Sequence, residues 1–574
     1  MLRSYNSFDR MLLAVLVAAS VSVSSALAQT TSAPTLAGEQ SIAVSLETIL
    51  GNPSVAEPAL NRAYALRGYR PIWIGPDERP ACALFGALAR MGVQGLPVPA
   101  ADISQVRMLL DGPANTWKQP AVEIYLTGLF LSYASSVRNG VTDPSDLSES
   151  IMLEAPYHTS FDLLEPLVVV PAAHDYVAAL APVLPEYSVL RGKFEQMQAL
   201  VVSGGWGEFA IPSGPTLKPG QADPRIISIR DRLALMGDHA PLSQHSIPYI
   251  DVLLATVRRE NFHYDTELMR AVQRFQRRHG LNDDGLIGDA TLAAMNVTAE
   301  ERLAQVAVNL ERLRWRTAPY ASRHIYVNLP DFRVHLREGG QTVFETRAVV
   351  GEGLEHQTHE FSDTMTFLVA NPSWTVPRDI AVEELLPQLQ ADSSFLVDSD
   401  MTLVKAQSVE IPEDVTEIDW FQFSDEYFPF WLRQLPSLAN ALGQLKFMFP
   451  NPYHIYLHDT PHRGHFRRDI RDYSYGCVRL QDPVGLAHAV LASNFTDPEG
   501  PTAEDALADI LASGVETELP LNRSFPIHLD YRTSWIGEDG TLQFRQDIYG
   551  RDVLVFDALR AAGVDLLAEI APAG

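Results

Sequence analysis

Two residues near the C-terminal end of the chain have the types and spacing of a catalytic thiol pair. Cys477 is one of only two cysteines, it follows Gly476, and His458 stands nineteen residues before it. A cysteine attacks as a thiolate, and because its ordinary pKa is about 8.5, a neighbouring imidazole must help to ionise it near neutral pH. His458 is the candidate base. The alternative is a buried structural cysteine near a hydrogen-bonded histidine.

The sequence around this pair predicts the elements that hold it. Tyr453, Ile455 and Leu457 alternate with other residues, which predicts a strand that delivers His458 at its end. Cys477 then opens the next strand, after a polar loop at 463–472, so the two side chains can meet across neighbouring strands. A glycine leaves the backbone beside the sulfur uncovered, so the amides of residues 476 and 477 are candidates for an oxyanion hole.

These motifs resemble the active-site signature of a known family. The run 458–461 reads His-Asp-Thr-Pro and the run 474–479 reads Ser-Tyr-Gly-Cys-Val-Arg, which is similar to the L,D-transpeptidase (YkuD-type) catalytic domain. The resemblance implies that Cys477 is the nucleophile and His458 the general base and acid. It also implies that the main-chain carbonyl of Asp459 orients the His458 ring.

The same resemblance suggests residues that contact the substrate. Ser474 and Arg479 occupy the recurrent serine and arginine of the motif, where the serine shapes the loop and the arginine holds it or binds a substrate carboxylate. Tyr475 occupies a variable position in which histidine is frequent. Trp374 has two open roles, as part of a groove wall or as a packing residue.

The loop around the motif is locally basic in an acidic chain. Its arginines are Arg463, Arg467, Arg468, Arg471 and Arg479, and they outnumber the acids Asp459, Asp469 and Asp472. Two explanations stay open: a solvated charged loop, or recognition of substrate carboxylates, for which arginine is the natural bidentate partner.

Composition limits the classes of function. At 574 residues the chain is long enough for two to four domains, and a hydrophobic content of 46% is that of a globular protein. A net charge of -27 argues against a nucleic-acid partner, which needs clustered Lys and Arg. No glycine-rich phosphate loop, HExxH or paired CxxC is present, so we expect neither a nucleotide nor a metal cofactor.

The N-terminus predicts export. Arg3 and Arg10 precede an apolar stretch, and residues 26–28 read Ala-Leu-Ala, which is typical of a secretory signal peptide at 1–28. An uncleaved membrane anchor is the alternative. Together with the resemblance, this places the protein in the periplasm. Cys82 is interpreted as a buried small hydrophobic residue on a helix, and no disulfide is expected because Cys477 must stay reduced.

The region before the catalytic motif predicts two helical parts after a linker at 29–42. Residues 43–248 show helical apolar stripes, one from Val122 to Tyr133 and one from Ile226 to Met236, and are interpreted as an α-rich scaffold similar to that of larger Gram-negative L,D-transpeptidases. Residues 249–300, with an N-cap at Asp265 and a C-cap at Gly280, resemble a three-helix peptidoglycan-binding domain. Wall targeting and docking to the catalytic domain are its alternative roles.

Residues 301–570 predict a β-rich catalytic domain, which makes the whole chain multidomain α+β. Alternating apolar residues from Ile325 to Val350 predict three strands with a turn at Gly339 and Gly340. Residues 356–358 resemble the substrate-side loop of the family, and residues 538–552 its C-terminal strand and turn. An aromatic-rich insertion at about 378–450 is interpreted as a lid over the acyl-enzyme or as a separate hydrophobic cluster.

The resemblance implies an activity and a partner. Peptidoglycan stem peptides would be the substrate, and Cys477 would form a thioester that a second stem resolves as a 3-3 crosslink between meso-diaminopimelate residues. Three alternatives stay open: an L,D-carboxypeptidase, a lipoprotein-attaching transpeptidase, and a non-catalytic peptidoglycan-binding scaffold. Association with other cell-wall enzymes is compatible with such a role, and the sequence assigns no oligomeric state.

Overall fold

The computed structural model describes most of the chain after residue 35. The described ranges are 36–52, 57–75, 77–113, 119–170, 172–182, 184–207, 209–239, 262–316, 318–406, 411–494 and 500–567. The predicted signal peptide therefore lies outside the described residues. Within these ranges no helix has both the length and the apolar character that crossing a membrane requires.

The N-terminal part is helical, as the sequence predicts. Its helices are α1 Leu36–Leu50, α2 Pro58–Leu66, α3 Arg79–Ala89, α4 Ala100–Asp111, α5 Pro120–Arg138, α6 Ser160–Val169, α7 Ala173–Ala179 and α8 Pro185–Val202. The predicted stripe on α5 is confirmed, because all six of its apolar residues from Val122 to Tyr133 are buried. They pack with Tyr64 and Trp73 in one core.

Two predictions in this part are wrong. Helix α1 begins at Leu36, so the second half of the predicted linker is helical. Cys82 lies on α3 as expected but is exposed. The buried face of α3 carries Ala81, Leu84 and Leu88, whose three- and four-residue spacing leaves position 82 on the opposite side of the helix.

A small module of three described helices follows. Helices α9 Arg225–Leu235, α10 Thr266–Arg278 and α11 Asp289–Asn296 share one hydrophobic core. Asp265 caps α10 by accepting a hydrogen bond from the Leu268 amide at 2.8 Å, as predicted. The assignment of α9 to the scaffold is wrong, because its buried residues pack against α10 and α11. Leu235, predicted to belong to the α9 stripe, is half exposed at 50%.

Helix α12, Ala299–Arg314, joins the module to the rest of the chain. Its buried Glu311 accepts hydrogen bonds from the amides of Val141 and Thr142 in the scaffold, at 2.6 and 2.8 Å. Its buried Arg312 donates to Asp552 in the C-terminal region at 2.5 Å. Because charged groups in the interior need such partners, these contacts hold scaffold and catalytic parts together.

The C-terminal part is built on a nine-stranded sheet. Its strands are β1 Arg323–Asn328, β2 Arg333–Glu338, β3 Gln341–Gly351, β4 Phe361–Ala370, β8 Leu445–Met448, β9 Leu457–His458, β10 Asp472–Ser474, β11 Val478–Leu480 and β12 Thr517–Asp530. The order across the sheet is β10-β3-β11-β9-β8-β4-β12-β1-β2. Because β3 pairs with both β2 and β11, the sheet closes on itself around an apolar interior.

The predicted hairpin strands β1, β2 and β3 are confirmed, and Gly339 and Gly340 form the turn with φ of 59° and 85°. The longer strand predicted from Tyr453 to His458 is wrong, since β9 covers only Leu457–His458. The Asn451 side chain bonds main-chain atoms of residues 449, 453 and 455 and turns the chain there.

The insertion forms a separate layer with its own core. It contains the helices α13 Arg378–Ile380, α14 Leu386–Ala391 and α15 Phe395–Asp398, with a π-helical turn at Ala381–Leu385, and the strands β5 Trp374–Thr375, β6 Met401–Ala406 and β7 Phe430–Gln434. Trp420, Phe423, Phe428 and Phe430 are buried there, while Phe421 is 77% exposed. The predicted end of the insertion near 450 is wrong, because β8 pairs with β4 and β9 of the central sheet.

The tail completes the catalytic part. A hairpin of β13 Ser534–Ile536 and β14 Leu542–Phe544 precedes helix α18, Arg551–Ala561. Two further helices, α16 Pro483–Leu491 and α17 Ala503–Ser513, lie between β11 and β12 and pack on the sheet.

Candidate active site

The two residues predicted to do chemistry lie on neighbouring strands. Strand β9 pairs in parallel with β11, with Leu457 opposite Val478 and His458 opposite Arg479. Cys477 is the last residue before β11 and the amide of Val478 donates to the carbonyl of Tyr456 at 3.1 Å. This main-chain bond places the thiol beside the strand that carries His458.

His458 is held as a neutral base. The side chain is only 4% exposed, and its Nδ1 lies 2.5 Å from the carbonyl oxygen of Asp459. A carbonyl accepts, so Nδ1 carries the hydrogen and Nε2 keeps its lone pair. Burial, with the charges of Arg479 and Lys446, lowers the pKa of His458 to about 3, although the Asp459 carbonyl acts in the opposite direction. The imidazole is therefore uncharged at neutral pH.

The Asp459 carboxylate fixes the backbone that supplies this carbonyl. It accepts from the amides of Gln444 at 2.9 Å and Thr460 at 2.7 Å, and from Arg463 at 2.5 Å. Gly443 has φ of 59°, and a Cβ there would lie 2.3 Å from the carboxylate. Only glycine therefore allows the loop before β8 to approach so closely.

Cys477 is half-buried and has a free thiol. Its sulfur lies 3.7 Å from the carbonyl oxygen of His454, to which the thiol donates. Burial raises the pKa of the thiol, against the opposing effects of Tyr456, Lys446 and Arg479. At rest the site therefore holds a neutral thiol beside a neutral imidazole.

The backbone around the nucleophile has the form that the oxyanion-hole prediction requires. Gly476 has φ of 98°, in the region that favours glycine. Its carbonyl accepts from the Thr358 hydroxyl at 2.8 Å, and the carbonyl of Cys477 accepts from the Ser474 hydroxyl at 2.5 Å. Among the described residues, the amides of Gly476 and Cys477 donate to no acceptor. Both N–H groups are thus available to an incoming oxygen.

The loop before β4 supports Gly476 and is itself held by the C-terminal helix. The Thr358 hydroxyl also accepts from the amide of Gly351 at 2.9 Å. Arg551, the first residue of α18, donates to Glu360 at 2.7 Å, to Gln357 at 2.6 Å and to the Thr358 carbonyl at 2.9 Å. All three contacts are buried or half-buried, so Arg551 positions the loop that contacts the nucleophile.

The scaffold reaches the same loop. The Ser150 hydroxyl donates to Gln357 at 2.9 Å, and the amide of Met152 donates to the carbonyl of Glu360 at 2.8 Å. Sequence reasoning found residues 356–358 but missed these supports, because their partners lie about 200 residues away in the chain.

The predicted substrate-contacting residues fall in two places. Ser474 and Arg479 border Cys477, and the Tyr475 ring lies 4.1 Å from the ring of His356. A hydrogen bond to Glu384 of the insertion raises the pKa of Tyr475, so the insertion reaches the edge of the site. Trp374 instead lies half-buried against the core of the insertion, the placement that its packing alternative describes.

Two arginines of the basic loop have structural contacts. Arg471 is buried and donates to the carbonyls of Ala348 and Phe332 at 3.1 and 3.0 Å. Arg463 pairs with Asp459 and donates to the carbonyl of Gln481 at 2.6 Å. These two side chains hold the loop in place, so neither is free to bind a substrate carboxylate.

Two residues near the thiol were not singled out from the sequence. The Tyr456 carbonyl accepts from the amide of Val478, next to Cys477, at 3.1 Å, and the Lys446 ammonium lies 3.9 Å from the centroid of the Tyr456 ring. The alternation that predicted a strand already places Tyr456 on the same face as His458. Lys446 could not be found in this way, because its position depends on the β8–β9 register.

No group of three or more His, Cys, Asp or Glu side chains that could hold a metal ion occurs in the part of the chain that the structure describes.

Comparison with known families agrees with the resemblance drawn from the motifs. Residues 322–502 match the L,D-transpeptidase catalytic domain, residues 58–193 match the domain described as "Scaffold domain", and residues 258–295 match the "Putative peptidoglycan binding domain". The predicted family resemblance is thereby confirmed for these three segments. The chain carries an L,D-transpeptidase catalytic domain.

A relative from Haemophilus influenzae is named "Putative L,D-transpeptidase" and is 34% identical over 248 residues. The match covers 43% of this chain and 48% of that protein, so the chain spans about half the length of this relative. Solved L,D-transpeptidases of Xylanimonas cellulosilytica and Stackebrandtia nassauensis are 14% and 13% identical, each over 56% of this chain and 99% and 98% of theirs. Their TM-scores are 0.16 and 0.20.

Proposed function

We propose that this protein, through the L,D-transpeptidase catalytic domain at 322–502, forms 3-3 crosslinks between peptidoglycan stem peptides. One observation carries the proposal: Cys477 directly precedes β11, the strand that pairs with His458 on β9, and His458 has its Nδ1 on the Asp459 carbonyl and no partner at Nε2 among the described residues. This arrangement suits acyl transfer by a thiol, and the substrate class comes from the family.

In the first step, the Cys477 sulfur attacks the carbonyl carbon of the amide between meso-diaminopimelate and the terminal D-alanine of a tetrapeptide stem. A carbon–sulfur bond forms as His458 Nε2 accepts the thiol proton, and the amides of Gly476 and Cys477 donate to the oxyanion. The carbon–nitrogen bond then breaks, and D-alanine leaves with the proton from His458. The product is a thioester.

In the second step, the side-chain amine of diaminopimelate in another stem attacks the thioester carbonyl. His458 takes a proton from this amine, the carbon–sulfur bond breaks, and the sulfur recovers a proton. Because thiol and imidazole are both neutral at rest, proton transfer accompanies the attack on the substrate and does not precede it.

The other parts of the chain fit an enzyme of the cell wall. The segment that matches a peptidoglycan-binding domain would bring the catalytic domain to the polymer, and the signal peptide predicted at 1–28 would deliver the protein to the periplasm. The insertion, whose Glu384 reaches Tyr475, is placed to act as a lid.

The direct test is to incubate residues 29–574 with a purified disaccharide-tetrapeptide and analyse protein and products by mass spectrometry, beside Cys477→Ala. We expect a tripeptide adduct on Cys477, released D-alanine, and a dimer that lacks one D-alanine. None of these should form with the variant.

The outcomes separate the alternatives. Adduct and tripeptide monomer without dimer would identify an L,D-carboxypeptidase, and transfer to a lysine-containing lipoprotein peptide alone would identify a lipoprotein-attaching enzyme. If the protein binds peptidoglycan sacculi but never forms the adduct, the enzymatic function is refuted and the non-catalytic scaffold is the remaining alternative.

A further inference from the structure

Lys446 is a half-buried cation with no ion-pair partner among the described residues. It lies on β8, and no carboxylate of the described residues comes within ion-pair distance of its ammonium, which stands 3.9 Å from the Tyr456 ring centroid. Withdrawing an ammonium group from water is costly, and lysines in such positions usually pair with acids. A structural ion pair therefore does not explain why a lysine stands at this half-buried position.

The strand register aims Lys446 at the catalytic pair. Lys446 lies opposite His458 in the β8–β9 ladder, and His458 lies opposite Arg479 in the β9–β11 ladder. Paired residues on adjacent strands project from the same face of the sheet, and neighbouring strands lie about 4.8 Å apart. Tyr456, two residues before His458, projects from that face too, lies under the ammonium, and is joined through its main-chain carbonyl to Val478, the residue after Cys477.

The charged and titratable groups around the thiol come from five elements. Lys446 on β8, Tyr456 before β9 and Arg479 on β11 act on the thiol itself. Glu384 of the insertion acts on Arg479 and offsets its charge, and Glu516 before β12 acts on Lys446. Glu516 is already paired with Arg433 at 3.0 Å. Glu516 is thus shared between Arg433 and Lys446.

The two cations also affect the base. Burial and the charges of Arg479 and Lys446 lower the pKa of His458, so the imidazolium that forms when Nε2 accepts the thiol proton is less stable than that of an ordinary histidine. Another positive group must then stabilise the negative sulfur while the proton is on Nε2.

We propose that Lys446, which lies over the Tyr456 ring, supplies this charge and stabilises the negative charge that develops on the Cys477 sulfur as it attacks and again when the thioester breaks. The inference deepens the proposed function, since it names the electrostatic partner of the same nucleophile. No redox step is involved: His458 holds the proton, the sulfur holds the electron pair, and Lys446 keeps its own proton throughout.

The test measures the thiol directly and needs no peptidoglycan. Because Cys82 is exposed, the parent protein is the full mature chain with Cys82→Ser, so that Cys477 is the sole thiol that iodoacetamide alkylates. Alkylation rates are measured from pH 5 to 10 by intact mass. The variants are Lys446→Met, the charge-preserving Lys446→Arg, and Lys218→Met, which removes an exposed lysine of the small module.

With Lys446→Met we expect the alkylation profile to move up by about one pH unit, which is roughly a tenfold slower reaction at pH 7. Lys446→Arg should restore most of the rate and Lys218→Met should match the parent. Near-UV circular dichroism of each variant reports folding. A folded Lys446→Met protein whose profile superposes on the parent would overturn the inference.

Failure here is distinguishable from failure of the proposed function. A wild-type chain that never forms the tripeptide adduct refutes the transpeptidase, whatever the alkylation profiles show. A wild-type chain that crosslinks, together with a Lys446→Met profile identical to the parent, refutes the role of Lys446 alone.

Discussion

Replacing Thr358 with valine should loosen the nucleophile loop without changing its packing. Thr358 is fully buried, and its hydroxyl makes two hydrogen bonds, to the Gly476 carbonyl at 2.8 Å and from the Gly351 amide at 2.9 Å. Valine has nearly the same shape but can neither donate nor accept. The variant therefore leaves a carbonyl and an amide without this partner in a site that excludes water.

The size of the effect follows from these two bonds. Leaving a buried donor or acceptor unsatisfied costs about 1–3 kcal/mol. With two groups affected and some relaxation of the loop, we expect the free energy of local opening to fall by about 2–4 kcal/mol. At about 1.4 kcal/mol per factor of ten, this is roughly 30- to 700-fold faster amide exchange.

Hydrogen–deuterium exchange of peptides that cover 474–480 and 349–353 measures this opening. Thr364→Val is the matched control, because Thr364 is exposed on β4 nearby and its hydroxyl has no partner among the described residues. We expect its exchange to match the wild type, and adduct formation to be slower only in Thr358→Val. Unchanged exchange at 474–480 in Thr358→Val would refute the claim that Thr358 holds Gly476.

Two further perturbations test the histidine and its support. Burial lowers the pKa of His458 to about 3 in the folded protein, whereas the same histidine in the unfolded chain has its ordinary pKa near 6.5. Between these two pH values the unfolded chain binds more protons than the folded one. Folding stability should therefore fall as pH drops from about 6.5 towards 3. His458→Gln should remove on the order of 4 kcal/mol from this loss, measured as unfolding free energy against pH, and an equal loss in both proteins would contradict the neutral buried imidazole. Gly443→Ala should lower the free energy of unfolding by at least about 2 kcal/mol and slow adduct formation by about tenfold or more, because the new Cβ would displace the Asp459 carboxylate. The control is Gly464→Ala, which has open space around its Cβ and should leave melting temperature and adduct formation unchanged. Equal behaviour of the two glycine variants would show that Asp459 is not held by the close approach of Gly443.

The strands and the catalytic pair could be predicted because their information is local. Strict alternation around a Gly-Gly turn is enough to predict β1 to β3, since the side-chain period of a strand is two and glycine accepts the positive φ of the turn. Cys477 and His458 were recognisable for a similar reason: both stand in short contiguous motifs, nineteen residues apart, on strands that then pair.

Predictions failed where a side chain or a helix had to choose among distant partners. Cys82 is on the predicted helix but on its exposed face, because the core decides which stripe of α3 is buried. The strand from Tyr453 was interrupted because the Asn451 side chain competes for the backbone. Helix α9 was assigned to the scaffold, but it packs with α10 and α11, which come later in the sequence.

The sequence by itself determined the candidate nucleophile and its candidate base, the acidic, multidomain character of the chain and the family that its motifs resemble. The tertiary structure decided how that pair is charged and supported. Lys446, Thr358 and Arg551 reach the site only through strand register and through contacts with segments 31 to almost 200 residues away. Such contacts leave no local pattern in a sequence, because they are selected by packing and by the need to pair buried polar groups, and not by the neighbours along the chain.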